Sequence, residues 1–172
     1  MKANKLLAQI AKEKALKCYH GFVMQTYSNI GIIIDPFPKW SLEEADGNWC
    51  AAFVYHCCIQ SGMKIPVRPR ECVSCNLAGC GAWEEWAIAD DRIFYTQSFQ
   101  DETIPQAGDI ILFDSVFNGR EHDHIGIVLE NKENSLILAE GNINNLSGII
   151  ERKKDNHIRA LIRIKERFSY VK

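Results

Sequence analysis

The first part of the chain carries hydrophobic residues at helical spacing. Near the N-terminus these residues recur every three or four positions, which predicts an amphipathic helix. Its apolar positions are Leu6, Leu7, Ile10, Ala11 and Leu16. A second helix is predicted over Trp49–Ser61, which contains no glycine or proline and stops at Gly62. A third, short helix is predicted over Trp83–Ala89.

After Pro105 the pattern changes to short hydrophobic runs separated by turn residues, which is typical of strands. The predicted strands are Ile110–Asp114, Ile125–Glu130, Ser135–Glu140, Ile149–Arg152 and Ile158–Ile164. Helices followed by an antiparallel sheet define an α+β fold. The remaining segments are predicted to be irregular: Ser28–Gly47 as a loop with a short strand at Ile32–Ile34, Gly141–Gly148 as a polar loop, and the charged run Glu151–Asp155 as a solvated turn.

The composition is that of a globular protein. The 172 residues are 47% hydrophobic and 24% charged, which argues against disorder and predicts a single domain over residues 1–172. Twenty Lys and Arg against 22 Asp and Glu give a net charge of −2, so we expect neither nucleic acid nor a membrane as a partner. The apolar runs Ile30–Ile34 and Ile110–Phe113 fall far short of the roughly 20 residues that a membrane helix needs.

The N-terminal segment does not have the pattern of a signal peptide. Lys12, Glu13, Lys14 and Lys17 interrupt its apolar positions. We therefore expect synthesis in the cytoplasm without a signal peptide. In that setting the seven cysteines, an odd number, predict mostly reduced thiols and no disulfide framework.

Cys50 is the candidate nucleophile. It lies at the predicted start of a helix, directly after the polar turn Asp46–Asn48. The free N–H groups and the positive end of a helix stabilise a thiolate, which is the nucleophilic form of cysteine. Cys57 and Cys58 lie two turns further along the same helix and suit packing in the core.

A cysteine nucleophile needs a base, and His124 is the best placed of the five histidines. His56 lies about 240° around the helix from Cys50, and His20 and His157 lie in polar or terminal segments. His122 and His124 both lie at the entry to a predicted strand. His124 is favoured because Gly126, two residues further on the same face, leaves room for another group to approach. His122 stays the alternative.

The predicted hairpin supplies a third group. A turn centred on Lys132 places His124 opposite Glu140 and beside Asn142, and opposite residues on antiparallel strands are about 5 Å apart at Cβ. Either side chain has the chemistry to hold the imidazole in one tautomer. A register slip of one residue would turn Glu140 to the other face.

Four segments together resemble the CHAP family, cysteine- and histidine-dependent amidohydrolases and peptidases of the papain-like superfamily. They are Asn48–Val54 with Gly62, Pro105–Asp114, His124–Val128 and Glu140–Asn142, followed by the closing strands Ile149–Ile164. The resemblance covers nearly the whole chain. It implies a papain-like α+β fold, with Cys50 as nucleophile, His124 as base, Glu140 as the residue that orients the base, and Asn142 assisting.

Some relatives in that family bind calcium through alternating aspartates upstream of the cysteine. The corresponding stretch here, Ser41–Asn48, lacks that alternation, so we expect no metal and no cofactor. In the expected reaction His124 activates Cys50, an acyl-enzyme forms, and the oxyanion rests on the backbone N–H of Cys50. Asn48 is the candidate second oxyanion donor. Trp49 either flanks the cleft or packs in the core.

The resemblance implies bacterial peptidoglycan as the substrate, cut at the muramoyl–L-alanine amide or within the stem peptide or cross-bridge. A wall hydrolase of bacterial or phage origin without a signal peptide would reach the wall by lysis or a dedicated secretion route. One alternative is an intracellular amidase of a small peptide conjugate. Another is a non-catalytic module that binds a partner or zinc, for which Cys72, Cys75 and Cys80 offer three thiols but no fourth ligand at typical spacing.

Overall fold

Helices come first along the chain and strands follow. The computed structural model describes residues 4–21, 27–97 and 103–171. The helices are α1 (Lys5–Ala15), α2 (Gly31–Ile34), α3 (Leu42–Ala45), α4 (Cys50–Gln60) and α5 (Cys80–Ala89). The strands are β1 (Phe94–Gln97), β2 (Ile110–Phe113), β3 (His124–Asn131), β4 (Ser135–Ile143), β5 (Leu146–Lys153) and β6 (Ile158–Arg163). The α+β class is confirmed, as are the three helices predicted from spacing.

The strands form one antiparallel sheet. Within the described residues their order is β1-β6-β2-β3-β4-β5, with antiparallel pairing along every edge. Strand β1 was not predicted, because four residues are too few to show a clear alternation. The order places β3 and β4 side by side, and these strands carry His124 and Glu140.

The short strand predicted at Ile32–Ile34 is wrong, because this segment is the single helical turn α2. Isoleucine favours strands in isolation. Here the N–H groups of Ile33 and Ile34 both donate to the carbonyl of Ile30, and both side chains are buried in the main core. Tertiary packing therefore overrides the local preference.

The polar loop predicted over Gly141–Gly148 is also wrong. Strand β4 continues to Ile143, and β5 begins at Leu146. The two residues between them, Asn144 and Asn145, have φ angles of 48° and 66°. Two central residues with positive φ are the mark of a tight hairpin turn that matches the twist of the strands, and asparagine tolerates that conformation.

Helix α4 is buried on all sides. Every residue from Cys50 to Cys58 is buried, because the helix packs between α1 and the strands β3 and β4. Gly141 in β4 allows this close approach: a Cβ atom there would lie 2.5 Å from Cβ of Phe53. The start of α4 is thereby held against β4. No helix of the described ranges is long and apolar enough to cross a membrane.

A buried ion pair fastens strand β6 to the turn before β2. Arg163 donates from Nε and Nη2 to the two carboxylate oxygens of Asp109, each over 2.7 Å. The Asp109 side chain is fully buried, and it also accepts the N–H of Gln106. The pair therefore joins the turn that contains Asp109 to strand β6.

Candidate active site

The starts of helices α4 and α5 face the β3 entry and the β4–β5 hairpin across a cleft of about 610 Å³. Both helices begin with a cysteine. The side chains that line the cleft are mostly amides, thiols and imidazoles. They include Asn48, Cys50, Cys80, Asn118, His122, Asp123, His124, Asn142, Asn144 and Asn145, with Trp40 and Phe117 as the aromatic members.

Cys50 is the first residue of α4, as the sequence predicts. The first hydrogen bond within the helix runs from Phe53 N–H to the carbonyl of Trp49, so the N–H groups before Phe53 lie outside the helical ladder. The Cys50 thiol contacts Cys80, with the two sulfurs 3.7 Å apart. The bond with Cys80 and the nearby imidazole of His124 outweigh burial and lower the pKa of Cys50 to about 5. The lowered pKa favours the thiolate.

His124 is buried at the start of β3. Its Nε2 lies 2.7 Å from Oε2 of Glu140. Burial disfavours the imidazolium, but the bonds to Cys50 and Glu140 and their negative charges raise the pKa of His124 to about 9. Between these two pKa values the pair is a thiolate and an imidazolium.

Glu140 reaches the histidine across Gly126. The ladder pairs Asn131 with Leu136 next to the turn and Ile127 with Ala139 beyond it. The turn is thus centred after Lys132, which displaces the predicted register by three residues, and a bulge in β3 between Val128 and Glu130 reduces the displacement to two. A displacement of two keeps Glu140 on the predicted face. A Cβ atom on Gly126 would lie only 2.8 Å from Cγ of Glu140, so the carboxylate lies over the glycine.

Arg152 is part of this arrangement, and its contact with Glu140 was not predicted. It lies in β5, which agrees with the predicted strand Ile149–Arg152 and not with the solvated turn predicted over Glu151–Asp155. It donates to both carboxylate oxygens of Glu140, over 2.6 and 2.7 Å. Its guanidinium also lies over the rings of Phe113 and Phe117. Although burial opposes ionisation, the bonds to Arg152 and His124 hold the pKa of Glu140 below its usual value. The carboxylate is thus ionised.

The side chains of Asn142 and Asn48 line the cleft, and each donates a hydrogen bond to a backbone carbonyl. The Asn142 amide donates to the carbonyl of Gly47 over 2.8 Å, and the Asn48 amide donates to the carbonyl of Asp46 over 3.2 Å. Both bonds shape the loop before Cys50. The structure thus places Asn142 beside the nucleophile loop, and neither amide is bonded to the Cys50–His124–Glu140 chain through these contacts.

Trp49 packs in the core, the second of the two placements considered for it. Its side chain is fully buried, lies edge-on to Phe53, and donates from Nε1 to Oδ1 of Asn145 over 2.8 Å. Asn145 also accepts the N–H of Gly47 and donates to Asp46. The tip of the β4–β5 hairpin therefore holds the loop that leads into the nucleophile helix.

The alternative base, His122, lines the same cleft but is engaged elsewhere. Its Nε2 lies 2.5 Å from Oε2 of Glu84 in α5, and Glu84 also accepts bonds from Tyr95 and Arg159. His56 is buried edge-on to Tyr19, and burial lowers its pKa to about 4. Of the histidines in the described residues, His124 is therefore the one whose imidazole interacts with the thiol of Cys50.

The remaining cysteines have separate surroundings. Cys72 is buried and donates to the carbonyl of Ala82, Cys75 is half-buried, and Cys80 meets Cys50. Burial raises the pKa of both Cys57 and Cys58. Within residues 4–21, 27–97 and 103–171, no three His, Cys, Asp or Glu side chains gather as a metal site.

The fold is the papain-like α+β type, with a cysteine at a helix start facing a histidine on the sheet. Residues 43–142 match the family model of the CHAP domain. This match covers more than half of the chain, and the protein therefore belongs to the CHAP family. CHAP domains are hydrolases of the amidase or peptidase type.

Two solved structures are similar to the chain. The crystal structure of Ly7917 superposes with a TM-score of 0.54 at 13% identity, covering 96% of this chain and 63% of that one. The crystal structure of Ly7917 with the hydrolyzing product of MDP gives 0.45 at 12% identity, covering 95% and 63%. The chain thus spans less than two thirds of Ly7917, and the first superposition supports the fold alone. No curated protein sequence matches the chain.

Proposed function

We propose that the protein is a cysteine-dependent amidohydrolase or peptidase that cleaves amide bonds of bacterial peptidoglycan through an acyl-enzyme. One observation carries the proposal. The imidazole of His124 interacts with the thiol of Cys50, whose pKa it lowers, and its Nε2 lies 2.7 Å from the buried carboxylate of Glu140. This is the arrangement of nucleophile, base and orienting group that covalent amide hydrolysis requires.

In the proposed reaction the thiolate of Cys50 attacks the carbonyl carbon of the scissile amide. The oxyanion is stabilised by the N–H of Cys50 at the positive end of α4. The imidazolium of His124 gives its proton to the leaving amine, whose bond to carbon then breaks. Neutral His124 next takes a proton from water, which attacks the thioester and releases the acid. Glu140 keeps Nε2 in place throughout and stabilises the imidazolium.

The chemistry of the cleft supports a substrate rich in amides and hydroxyls. Five asparagines line it, namely Asn48, Asn118, Asn142, Asn144 and Asn145, and each amide side chain both donates and accepts hydrogen bonds. Trp40 adds a partly exposed ring. A glycan–peptide conjugate presents those groups, and membership of the CHAP family favours peptidoglycan among such conjugates.

We further propose that residues 1–172 form one catalytic domain. The core that includes Leu7 of α1 also includes Trp49, Ala139 and Phe168. Helix, sheet and C-terminal segment therefore share their packing, and the expectation is that they unfold together in one transition.

The proposal is tested by incubating purified sacculi and soluble muropeptides with the protein and identifying the products by mass spectrometry. A free L-alanine amine indicates cleavage at the muramoyl amide, and a new amine within the peptide indicates endopeptidase action. Cys50→Ala and His124→Ala are expected to abolish both products. Asn118→Ala, which alters the cleft but not the Cys50–His124 pair, is the control for a change in binding alone.

A second measurement separates catalysis from a purely binding role. Brief iodoacetamide treatment at mildly acidic pH is expected to label Cys50 first, because ordinary thiols with a pKa near 8.5 react little there. His124→Ala should remove that preference. Selective labelling without peptidoglycan cleavage would point to a small peptide conjugate as the substrate, and labelling spread evenly over the exposed thiols would contradict a catalytic Cys50.

A further inference from the structure

A second thiol faces the nucleophile inside the cleft. Sγ of Cys80 lies 3.7 Å from Sγ of Cys50, although the two residues are 30 positions apart in the chain. Each is the first residue of its helix, α4 for Cys50 and α5 for Cys80. Both residues line the cleft and are less than one tenth exposed. The two sulfurs thus share one solvent-facing pocket.

We propose that Cys50 and Cys80 form a redox-modification site, in which a hydroperoxide entering the cleft converts the two thiols into a reversible intramolecular disulfide. The site itself stands on the geometry of the two sulfurs. Its consequence for activity rests on the function proposed above, because it is the sulfur of Cys50 that would be withdrawn from catalysis.

The reaction balances with the hydroperoxide as the oxidant. The Cys50 thiolate attacks one oxygen of hydrogen peroxide, the O–O bond breaks, and Cys50 becomes a sulfenic acid while hydroxide leaves and is protonated to water. The sulfur of Cys80, losing its proton, then attacks the sulfenic sulfur. The S–S bond forms as the S–O bond breaks, and a second water leaves. Two thiols are oxidised by two electrons and one peroxide is reduced.

The two cysteines differ in a way that sets the order of these steps. The hydrogen bond from Cys80 and the contact with His124 lower the pKa of Cys50, whereas the negative charge of Cys50 and burial raise the pKa of Cys80. Cys50 is therefore the thiolate that meets peroxide first, since thiolate character governs susceptibility. Cys80 stays protonated and available as the resolving thiol.

The distance is suited to closure. The sulfurs must approach from 3.7 Å to about 2.05 Å, and rotation about χ1 moves a cysteine sulfur by more than that difference. The nearest competitor is Cys75, whose sulfur lies 2.6 Å from the position of a Cβ on Gly79, next to Cys80. Cys57 and Cys58 are fully buried in the core, away from any peroxide in the cleft.

The first test uses the unmodified protein and needs no substrate. The chain is treated with equimolar hydrogen peroxide, blocked with an alkylating agent, digested without reductant and analysed by mass spectrometry. We expect a peptide pair joined through Cys50 and Cys80, lighter by two hydrogens than the separate peptides and separated by dithiothreitol. Oxidation of Cys50 to sulfinic acid without this pair, or a Cys50–Cys75 link in its place, overturns the proposal.

The second test asks what Cys80 protects. In Cys80→Ser an excess of hydrogen peroxide should carry Cys50 on to sulfinic and sulfonic acid, since each further oxidation step consumes another peroxide, and dithiothreitol should not restore its thiol. Cys75→Ser is the matched control and should form the same disulfide as the wild type. Full recovery of the Cys50 thiol in Cys80→Ser contradicts the proposal. If either variant fails to fold by circular dichroism, the disulfide map of the wild-type chain decides alone.

The two proposals fail separately. A Cys50–Cys80 disulfide in a protein that cleaves no peptidoglycan overturns the proposed function and leaves the redox site standing. Cleavage of peptidoglycan by a protein in which peroxide gives no such disulfide overturns the redox site and leaves the proposed function standing. Where both hold, oxidised protein should lose activity roughly tenfold or more, because the nucleophilic thiolate is consumed, and dithiothreitol should restore it.

Discussion

Arg152 and Glu140 form a bidentate ion pair directly behind the histidine of the cleft. The guanidinium contacts both carboxylate oxygens, and one of these oxygens, Oε2, is shared with Nε2 of His124. Glu140 is fully buried and Arg152 largely so. The carboxylate of Glu140 therefore interacts with both His124 and Arg152. Its position depends on strand β5, which carries Arg152 but neither Cys50 nor His124.

Removing the arginine should destabilise the fold. Arg152→Gln leaves a buried carboxylate with His124 as its remaining charged partner, and breaking a buried pair in this way costs roughly 3 kcal/mol of unfolding free energy. Urea denaturation followed by circular dichroism measures the loss. Lys153→Gln is the matched control, because it removes the neighbouring charge from an exposed position on the same strand. Equal stability of the two variants would show that the ion pair contributes nothing.

The pH dependence of hydrolysis should be bell-shaped. The proposed mechanism requires the Cys50 thiolate and the His124 imidazolium together, so kcat/KM should rise as pH passes about 5 and fall as it passes about 9. A profile measured with a soluble muropeptide checks both limbs. Maximal activity only above pH 9 would contradict the thiolate–imidazolium pair.

The charge of Glu140 should set the basic limb of that profile. Glu140→Gln keeps a hydrogen-bond acceptor beside His124 but removes the negative charge that raises the pKa of the imidazole. The basic limb should therefore move to lower pH, and kcat should fall on the order of 10²-fold or more. An unmoved basic limb would mean that another group holds the proton.

Gly126 should be required for activity more than for stability. A methyl group in Gly126→Ala would lie 2.8 Å from Cγ of Glu140 and displace the carboxylate from His124. Misplacing a catalytic group by about 1 Å costs around 10²-fold in rate. Gly148→Ala is the control, because its Cβ meets the nearest atom, Cδ1 of Ile143, at an ordinary 3.7 Å. Comparable kinetics for the two variants would contradict this account.

The ion pair between Asp109 and Arg163 should matter for folding alone. Asp109→Ala leaves a buried guanidinium without its carboxylate, which costs about 3–5 kcal/mol. A thermal unfolding scan should show a lower Tm than for Asp35→Ala, in which the aspartate removed is exposed. An unchanged Tm would show that the ion pair contributes nothing and that the existing hydrogen bond from Arg163 to the carbonyl of Ile104 is sufficient.

Local patterns account for what could be predicted. The start of α4 could be predicted because a polar turn precedes an apolar run. His124 could be chosen as the candidate base because it lies at the entry of an apolar strand. Glu140 was placed on the correct face although its register was displaced by two, because an even displacement preserves the face of a strand. These are features that a few neighbouring residues determine.

The contributions of Arg152, Cys80 and Asn145 were not predicted, because each depends on a partner far along the chain. Arg152 meets Glu140 only when β4 pairs with β5, and Cys80 meets Cys50 only when two helix starts converge. The one available signal was the Asn144–Asn145 pair between apolar residues, which suits a turn with two positive φ angles. Spacing alone does not reveal a contact of this kind.

Asn145, at the tip of the β4–β5 hairpin, holds the loop that precedes Cys50. This contact affects when the Cys50 thiol becomes reactive during folding. Asn145 and Trp49, which form this contact, are 96 positions apart, so this loop closes only after most of the chain has been synthesised and the long-range strand pairing has formed. A nascent or partly folded chain has Cys50 but lacks the pairing that brings His124 and Glu140 to it. The thiol therefore gains its nucleophilic character late, as a product of global folding and not of the helix that bears it.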